Sequence, residues 1–129
     1  MSVPVIAVIE DDLSIVQLLD DLLCDAGYRV ISYTQGRDAH QFILRTMPDL
    51  LILDWWLEDP AAGGMVLGLL ERDPRTQQIP VIVCSAHIMA LRQQADLLRA
   101  RGHRILPKPF HYQELLACVQ DALGATQPT

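Results

Sequence analysis

Apolar and polar positions alternate along the chain in a way that predicts a repeated strand–helix unit. The first apolar run, Val5–Ile9, is short and rich in β-branched residues, which is typical of a strand buried on both faces. Leucines and isoleucines then recur at helical spacing over residues 13–26, and Gly27 supplies a C-terminal stop. The same succession continues through the chain, so each predicted strand is followed by a predicted helix.

Four further strand–helix pairs are predicted, and together they define the fold class. Strands alternating with helices require parallel pairing with right-handed crossovers. We therefore predict an α/β fold, (βα)5, with a doubly wound parallel five-stranded sheet and helices on both faces. The further strands are predicted at 29–33, 50–53, 79–84 and 104–106, the helices at 36–46, 65–72, 90–100 and 112–123, and a Pro-, Ala- and Gly-rich loop at 58–64. One domain is expected at 1–123, followed by a flexible tail at 124–129.

Composition narrows the class of protein. A chain of 129 residues that is 50% hydrophobic fits one domain with a real core. Its net charge of −6 argues against a nucleic-acid partner, because a phosphate backbone attracts a basic surface. No apolar run approaches the roughly 18 residues of a membrane helix, and the N-terminus lacks the features of a signal peptide. We expect a soluble, cytoplasmic protein without membrane contact.

Two features of the composition leave alternatives. Three cysteines lie far apart without a Cys-x-x-Cys spacing, which favours small buried hydrophobes over disulfides or zinc ligands; they are Cys24, Cys84 and Cys118. Basic residues cluster late in the chain, at Arg92, Arg99, Arg101, Arg104 and Lys108. That cluster fits either a solvated helix face or a docking surface for an acidic partner.

Residues with chemical potential follow the predicted strands where they end. In doubly wound sheets, ligands bind at the carboxyl ends of the strands. Glu10, Asp11 and Asp12 follow the first strand, Asp54 the third, Ser85 the fourth and Lys108 the fifth. Because these ends share one edge, four carboxylates, one hydroxyl and one ammonium are predicted to converge there.

Such a cluster indicates a particular chemistry. Carboxylates crowded together repel one another unless a cation neutralises them, and donors that are all oxygen indicate Mg²⁺ rather than Zn²⁺. A carboxylate such as Asp54 can attack phosphorus and become an acyl phosphate, with charge stabilised by Ser85 and Lys108. Each residue alone also has a structural explanation, as a helix cap, a dipole partner or a surface charge. Their combination on one sheet edge favours the site, as does the fact that Lys108 is the only lysine.

At this point the sequence resembles the receiver domain of two-component response regulators, in its stand-alone, single-domain form. The segments that carry the resemblance are 7–12, 48–54, 79–86 and 106–110, and the match covers essentially the whole chain. The resemblance implies a flavodoxin-like sheet with the strand order 2-1-3-4-5. It also implies a phosphohistidine donor on a sensor histidine kinase or phosphotransfer protein, and an unidentified downstream protein partner.

The resemblance also implies residue roles. Asp54 would be the phospho-acceptor, Ser85 would bond the phosphoryl group, and Lys108 would pair with that group. The Lys108–Pro109 bond would be a cis peptide. Asp11 would hold Mg²⁺ directly, Glu10 would assist through water, and the backbone carbonyl of Trp56 would be a further metal ligand. The protein would then be a phospho-accepting signalling protein rather than an enzyme with a separate substrate.

The sequence departs from the family pattern in places, and other functions remain as alternatives. Ile105 stands where the family usually has an aromatic residue, the loop after Asp54 is longer, and Trp55–Trp56 is bulky. The runner-up is a degenerate receiver that binds proteins independently of phosphorylation, although the complete acceptor set argues against it. A haloacid-dehalogenase-like phosphatase would need an acid at Trp56, and a DNA-binding regulator would need an output domain that the length does not provide.

Overall fold

The computed structural model describes residues 3–57 and 61–126, and it has the predicted α/β architecture. Five parallel strands lie in the order β2-β1-β3-β4-β5, so the predicted fold class and strand order are confirmed. The strands are β1 (Val5–Ile9), β2 (Arg29–Tyr33), β3 (Leu50–Asp54), β4 (Val81–Ser85) and β5 (Arg104–Pro107). The helices are α1 (Leu13–Asp25), α2 (Ala39–Thr46), α3 (Ala62–Arg72), α4 (Ile88–Ala100) and α5 (Tyr112–Thr126).

The central strands are apolar throughout because helices cover both faces of the sheet. Successive side chains of β1 point to opposite faces, so Ala7 and Ile9 join one apolar cluster while Ile6 and Val8 join another. Helices α2, α3 and α4 complete the first cluster, and α1 and α5 complete the second. Buried continuous strands of this kind are the expected consequence of two covered faces.

Strand register brings the residues after the strands to one edge. Ile9 lies opposite Leu53, Asp54 lies opposite Cys84, and Ser85 lies opposite Pro107. The residues that follow these positions along the chain therefore leave the sheet side by side. This register is what makes the carboxyl edge a single site.

Helix α3 begins earlier than predicted. The helix starts at Ala62, whereas Gly63 and Gly64 had indicated a loop through residue 64. Gly63 lies so close to the backbone of Trp55 that an added Cβ would stand 2.4 Å from the Trp55 carbonyl oxygen. Glycine is required here by a tertiary contact and not by a turn. The remainder of the predicted loop at 58–60 lies outside the described residues.

Other boundaries also differ from the sequence-based prediction. Helix α2 starts at Ala39 rather than residue 36, because Asp38 adopts a left-handed conformation with φ 62°. Helix α5 continues to Thr126, past the point where the tail was predicted to begin, and residues 127–129 lie outside the described residues.

The burial of the three cysteines differs from the sequence-based prediction. All three cysteines are free, but only Cys84 is fully buried, and Cys24 is exposed on α1, so the prediction of three buried cysteines was wrong.

Within residues 3–57 and 61–126, none of the helices combines the length and the apolar character needed to span a bilayer.

Candidate functional site

Three carboxylates meet at the carboxyl edge of the sheet. Glu10, Asp11 and Asp54 each offer one oxygen, and these oxygens all lie within 4.8 Å of one another. Glu10 and Asp54 are 2% and 6% exposed, whereas Asp11 lies at the exposed rim. The cluster is therefore buried on one side and open to solvent on the other, which is a suitable arrangement for admitting an ion or a phosphoryl group.

Lys108 is the cation of this cluster. Its Nζ donates to Glu10 Oε1 and lies 3.5 Å from Asp54 Oδ2. The lysine backbone is fixed as well, since its N–H donates to the Ser85 carbonyl oxygen at 3.0 Å. The cis peptide bond expected between Lys108 and Pro109 is present. Three carboxylates against one ammonium leave an excess of negative charge at the edge.

Burial and mutual repulsion shift the pKa values of these groups. Burial, followed by the neighbouring Asp54 carboxyl, raises the pKa of Glu10 even though Lys108 acts in the opposite direction. Desolvation and the charge of Glu10 likewise raise the pKa of Asp11. Burial alone would lower the pKa of Lys108, but its hydrogen bond to Glu10 and the nearby negative charges raise it. An additional cation is thus electrostatically favoured beside a lysine that stays protonated.

Backbone N–H groups donate hydrogen bonds to the Asp54 carboxylate and to the buried Ser85 hydroxyl. The Trp56 N–H donates to Asp54 Oδ1 at 3.1 Å, and the His87 N–H donates to Ser85 Oγ at 3.0 Å. Ser85 itself is completely buried at the end of β4. These short-range contacts orient both side chains toward the same edge.

The rings of Trp56 and His87 stack on one another. Their centroids lie 3.8 Å apart with an interplanar angle of 17°. Trp56 follows Asp54 by two positions and His87 follows Ser85 by two positions, so the stacked pair joins the loops after β3 and β4. The sequence drew attention to both residues but gave no signal that they touch.

Asp12 does not belong to the carboxylate cluster. Its Oδ1 accepts hydrogen bonds from the Ser14 N–H at 3.0 Å and from Ser14 Oγ at 2.6 Å, so it is the N-cap of α1. The sequence predicted four converging carboxylates, and the structure brings three of them together. Ser85 and Lys108 lie at the predicted edge, whereas the Trp56 carbonyl as a metal ligand stays a prediction.

The site fits a hard divalent cation. The carboxylates present oxygen only, and neither a histidine nitrogen nor a cysteine sulfur joins the cluster within the described residues. Magnesium prefers one or two carboxylates together with water and phosphate oxygens, which an open, acidic edge provides. The donor set is thus appropriate for Mg²⁺.

The doubly wound sheet thus carries three carboxylates and a lysine ammonium at its carboxyl edge, where ligands bind in sheets of this kind. The family model of the response regulator receiver domain matches residues 6–120. The chain belongs to this family, and it is a receiver domain of the two-component type.

Individual relatives agree with this assignment. The chain is similar to the phosphate regulon transcriptional regulatory protein PhoB of Rhizobium meliloti (strain 1021), with 32% identity, covering 97% of this chain and 54% of that protein. It is 31% identical to the transcriptional regulatory protein CssR of Bacillus subtilis (strain 168), covering 92% and 50%. The crystal structure of the receiver domain of NtrX from Brucella abortus has a TM-score of 0.80 and 26% identity, covering 92% and 98%. The chain thus spans about half the length of these two curated relatives.

Proposed function

We propose that this receiver domain accepts a phosphoryl group on Asp54 from a phosphohistidine of a sensor histidine kinase or phosphotransfer protein. It then signals through protein–protein contacts. The observation that carries the proposal is the position of Asp54, which is 6% exposed, lies among two further carboxylates and has the Lys108 ammonium 3.5 Å away. In this proposal the chain is a phospho-accepting signalling protein and does not act on a separate small-molecule substrate.

Asp54 is the nucleophile of the proposed transfer. A lone pair on its carboxylate forms the new O–P bond while the P–N bond of the donor breaks, and the electron pair of that bond returns to the imidazole nitrogen. Backbone contact with Trp56 fixes one carboxylate oxygen of Asp54 before the donor arrives. Positioning of this kind removes much of the entropic cost of bringing two reactants together.

Lys108 and Ser85 stabilise the transferred group. Phosphoryl oxygens carry negative charge throughout the transfer, and a fixed ammonium offsets that charge without reorganisation. The Ser85 hydroxyl is buried beside the acceptor strand, where it can donate to a phosphoryl oxygen while still accepting from the His87 N–H.

Glu10, Asp11 and Asp54 are the residues that would hold Mg²⁺, together with the carbonyl of Trp56. When bound, the ion supplies positive charge that lowers repulsion between the carboxylates and the incoming phosphoryl group. Three carboxylates against one ammonium at this edge support the proposal that a divalent cation is needed there.

The donor would approach over an apolar cleft beside Lys108. The cleft has a volume of about 370 Å³ and joins the base of α1 to the segment after β5. Apolar side chains dominate its walls, which are formed by Asp12, Ile15, Leu18, Ala86, Lys108, Pro109 and Phe110. An apolar surface continuous with the acceptor site is suited to a protein donor that must dock before it transfers.

Phosphoramidate, a small donor with a P–N bond, tests the proposal in the presence of Mg²⁺. Intact-protein mass spectrometry should detect one phosphoryl group on the wild type, none on Asp54→Asn and severely reduced labelling on Asp11→Asn. Asp12→Asn is the matched control, because that carboxylate caps a helix and should leave labelling intact.

The outcomes separate the proposal from its alternative. Undiminished labelling of Asp54→Asn would refute the acceptor assignment. A wild-type chain that accepts no phosphoryl group from phosphoramidate would instead favour a degenerate receiver that binds partners independently of phosphorylation.

A further inference from the structure

The peptide unit between Trp55 and Trp56 lies between helix α3 and the Asp54 carboxylate. Its two polar groups point in opposite directions, because the Trp55–Trp56 bond is trans and planar. On one side, the Trp56 N–H donates to Asp54 Oδ1 at 3.1 Å. On the other side, the Trp55 carbonyl oxygen faces Gly63 in the first turn of α3. One rigid plane thus joins a helical glycine to an oxygen of the carboxylate.

The contact at Gly63 leaves no room for a side chain. A Cβ built on this buried glycine would stand 2.4 Å from the Trp55 carbonyl oxygen, and 2.7 Å from the carbonyl carbon and the Cα of the same residue. Carbon atoms that are not bonded to each other prefer a separation of about 3.5 to 4.0 Å. All three obstructing atoms belong to the backbone, so no change of side-chain rotamer can relieve the overlap.

Trp55 and α3 are both held in place by other contacts. The Trp55 N–H donates to the Cys84 carbonyl oxygen of β4 at 2.8 Å, and the indole ring packs on the core cluster and beside Gly64. Helix α3 buries Val66 and Leu67 in the same cluster. Rotation of the Trp55–Trp56 peptide plane is therefore the movement that remains when a Cβ is added at Gly63.

The orientation of the Asp54 carboxylate depends on this plane. One oxygen, Oδ1, accepts from the Trp56 N–H, and the other, Oδ2, lies 3.5 Å from the Lys108 ammonium. Because the carboxylate group is planar, a fixed direction for Oδ1 also fixes the direction of Oδ2. Rotation of the peptide plane would remove the donor from Oδ1 and release both oxygens.

We propose that Gly63 is a positioning residue for Asp54. Because Gly63 lacks a side chain, the Trp55–Trp56 peptide stays turned so that the Trp56 N–H points at the carboxylate. The inference rests on the proposed function and adds to it a residue that acts on the acceptor through the backbone, from the neighbouring helix. Misplacement of a reacting group by about 1 Å can slow a reaction by about a hundredfold.

Gly63→Ala tests the proposal, with Gly68→Ala as the matched control. Gly68 lies in the same helix, and a Cβ added there meets nothing within 4 Å. Both substitutions replace a helical glycine by alanine, so the contact with Trp55 is what distinguishes them. Phosphoramidate labelling in the presence of Mg²⁺ should slow by about tenfold to a hundredfold in Gly63→Ala and keep the wild-type rate in Gly68→Ala.

The amide resonance of Trp56 separates positioning from a general loss of stability. It is recorded on the isotopically labelled chain without Mg²⁺ or phosphodonor, under conditions where urea unfolding shows each variant to be fully folded. Asp54→Ala removes the acceptor oxygen and defines the shift of a Trp56 N–H without its hydrogen bond. The Trp56 resonance of Gly63→Ala should move in the same direction, whereas Gly68→Ala should leave it in place.

Asp54→Ala also tests the coupling in the opposite direction, in a chain that keeps Gly63. Coupling between two sites is reciprocal, so loss of the acceptor should free the peptide plane and shift the Gly63 amide resonance, with that of Gly68 unchanged. This measurement decides the proposal even if Gly63→Ala does not fold.

Three results would overturn the proposal. They are wild-type labelling of Gly63→Ala, slow labelling of that variant with an unchanged Trp56 resonance, and an Asp54→Ala spectrum in which the Gly63 resonance does not move. The second of these would assign the defect to α3 itself. A wild-type chain that accepts no phosphoryl group would refute the proposed function instead, and the two resonance measurements would still decide whether Gly63 positions Asp54.

Discussion

Removal of the indole ring at Trp56 is expected to shorten the lifetime of the phosphoryl group on Asp54. Hydrolysis of an acyl phosphate needs a water in line behind the phosphorus, and we propose that the Trp56 ring, which is stacked on His87, hinders the approach of that water to Asp54. Neither Trp56 nor His87 has a carboxylate or carboxamide group that could position this water. We therefore expect a slow loss of the phosphoryl group from the wild-type protein.

The geometry of the stack gives the size of the effect. An aromatic pair with this arrangement contributes about 0.5 to 1.5 kcal/mol beyond its buried area. If water enters only when the pair separates, loss of this contact increases the open population by about twofold to thirteenfold. Trp56→Ala should accelerate dephosphorylation within that range, and Trp56→Asn should do so at least as strongly because its carboxamide can also orient water.

The assay is the decay of phosphorylated protein after removal of phosphoramidate, followed by phosphate-affinity gel electrophoresis. His87→Ala should reproduce the effect of Trp56→Ala, and the double variant should be little faster than either single variant, because both substitutions break the same contact. Phe42→Leu is the control, since it removes a stacked pair with Tyr33 at 4.9 Å elsewhere in the domain.

Two results would refute this reasoning. A wild-type decay that Trp56→Ala and His87→Ala both leave unchanged would show that the stack does not limit access of water. Equal acceleration by Phe42→Leu would show that a general loss of packing, rather than loss of the Trp56–His87 stack, sets the rate.

Two further predictions concern pH. Hydrogen bonds from Arg75 lower the pKa of Asp73 to about 2, so this carboxylate contributes stability above its unfolded pKa of about 3.9 and loses it as the pH falls through about 2. Asp73→Asn should unfold at a lower urea concentration at pH 7, with a difference from wild type that shrinks towards pH 2; a constant difference would contradict the assignment. Because burial raises the pKa of Glu10 and Asp11, protons should compete with Mg²⁺ at pH values above the ordinary carboxylate range. Calorimetric Mg²⁺ affinity should fall from pH 7 to pH 5, and an affinity that is constant over this range would count against the carboxylate site.

The residues that meet at the carboxyl edge of the sheet could be predicted from the sequence, because topology alone determines which chain positions lie there. Parallel strands share the orientation of their carboxyl ends, so counting to the end of each apolar run was enough to bring Asp54, Ser85 and Lys108 together. The hydrogen-bond partner of each carboxylate was harder to predict from the sequence. Asp12 follows the same strand as Glu10, yet a local contact with Ser14 makes it a helix cap.

Tertiary contacts account for the features that the sequence could not supply. Gly63 and Gly64 resembled loop residues, because glycine is unfavourable in helices, but close approach of Trp55 requires glycine inside α3. The stacking of Trp56 on His87 joins two loops that are distant in sequence, and no periodicity or motif encodes such a contact. The pairing of Lys108 with Glu10 similarly depends on packing across the whole width of the site.

The two tryptophans of the chain give the molecule an intrinsic fluorescent reporter beside the carboxylate cluster. They are consecutive and directly follow Asp54 in the chain. Trp55 is half-buried and packs on the core, whereas Trp56 is half-buried and stacked on an imidazole. Indole emission responds to polarity and to ring contacts, and no tryptophan elsewhere adds background light. The proposed cation binding and phosphoryl transfer can thus be tested in real time by stopped-flow mixing of unlabelled protein.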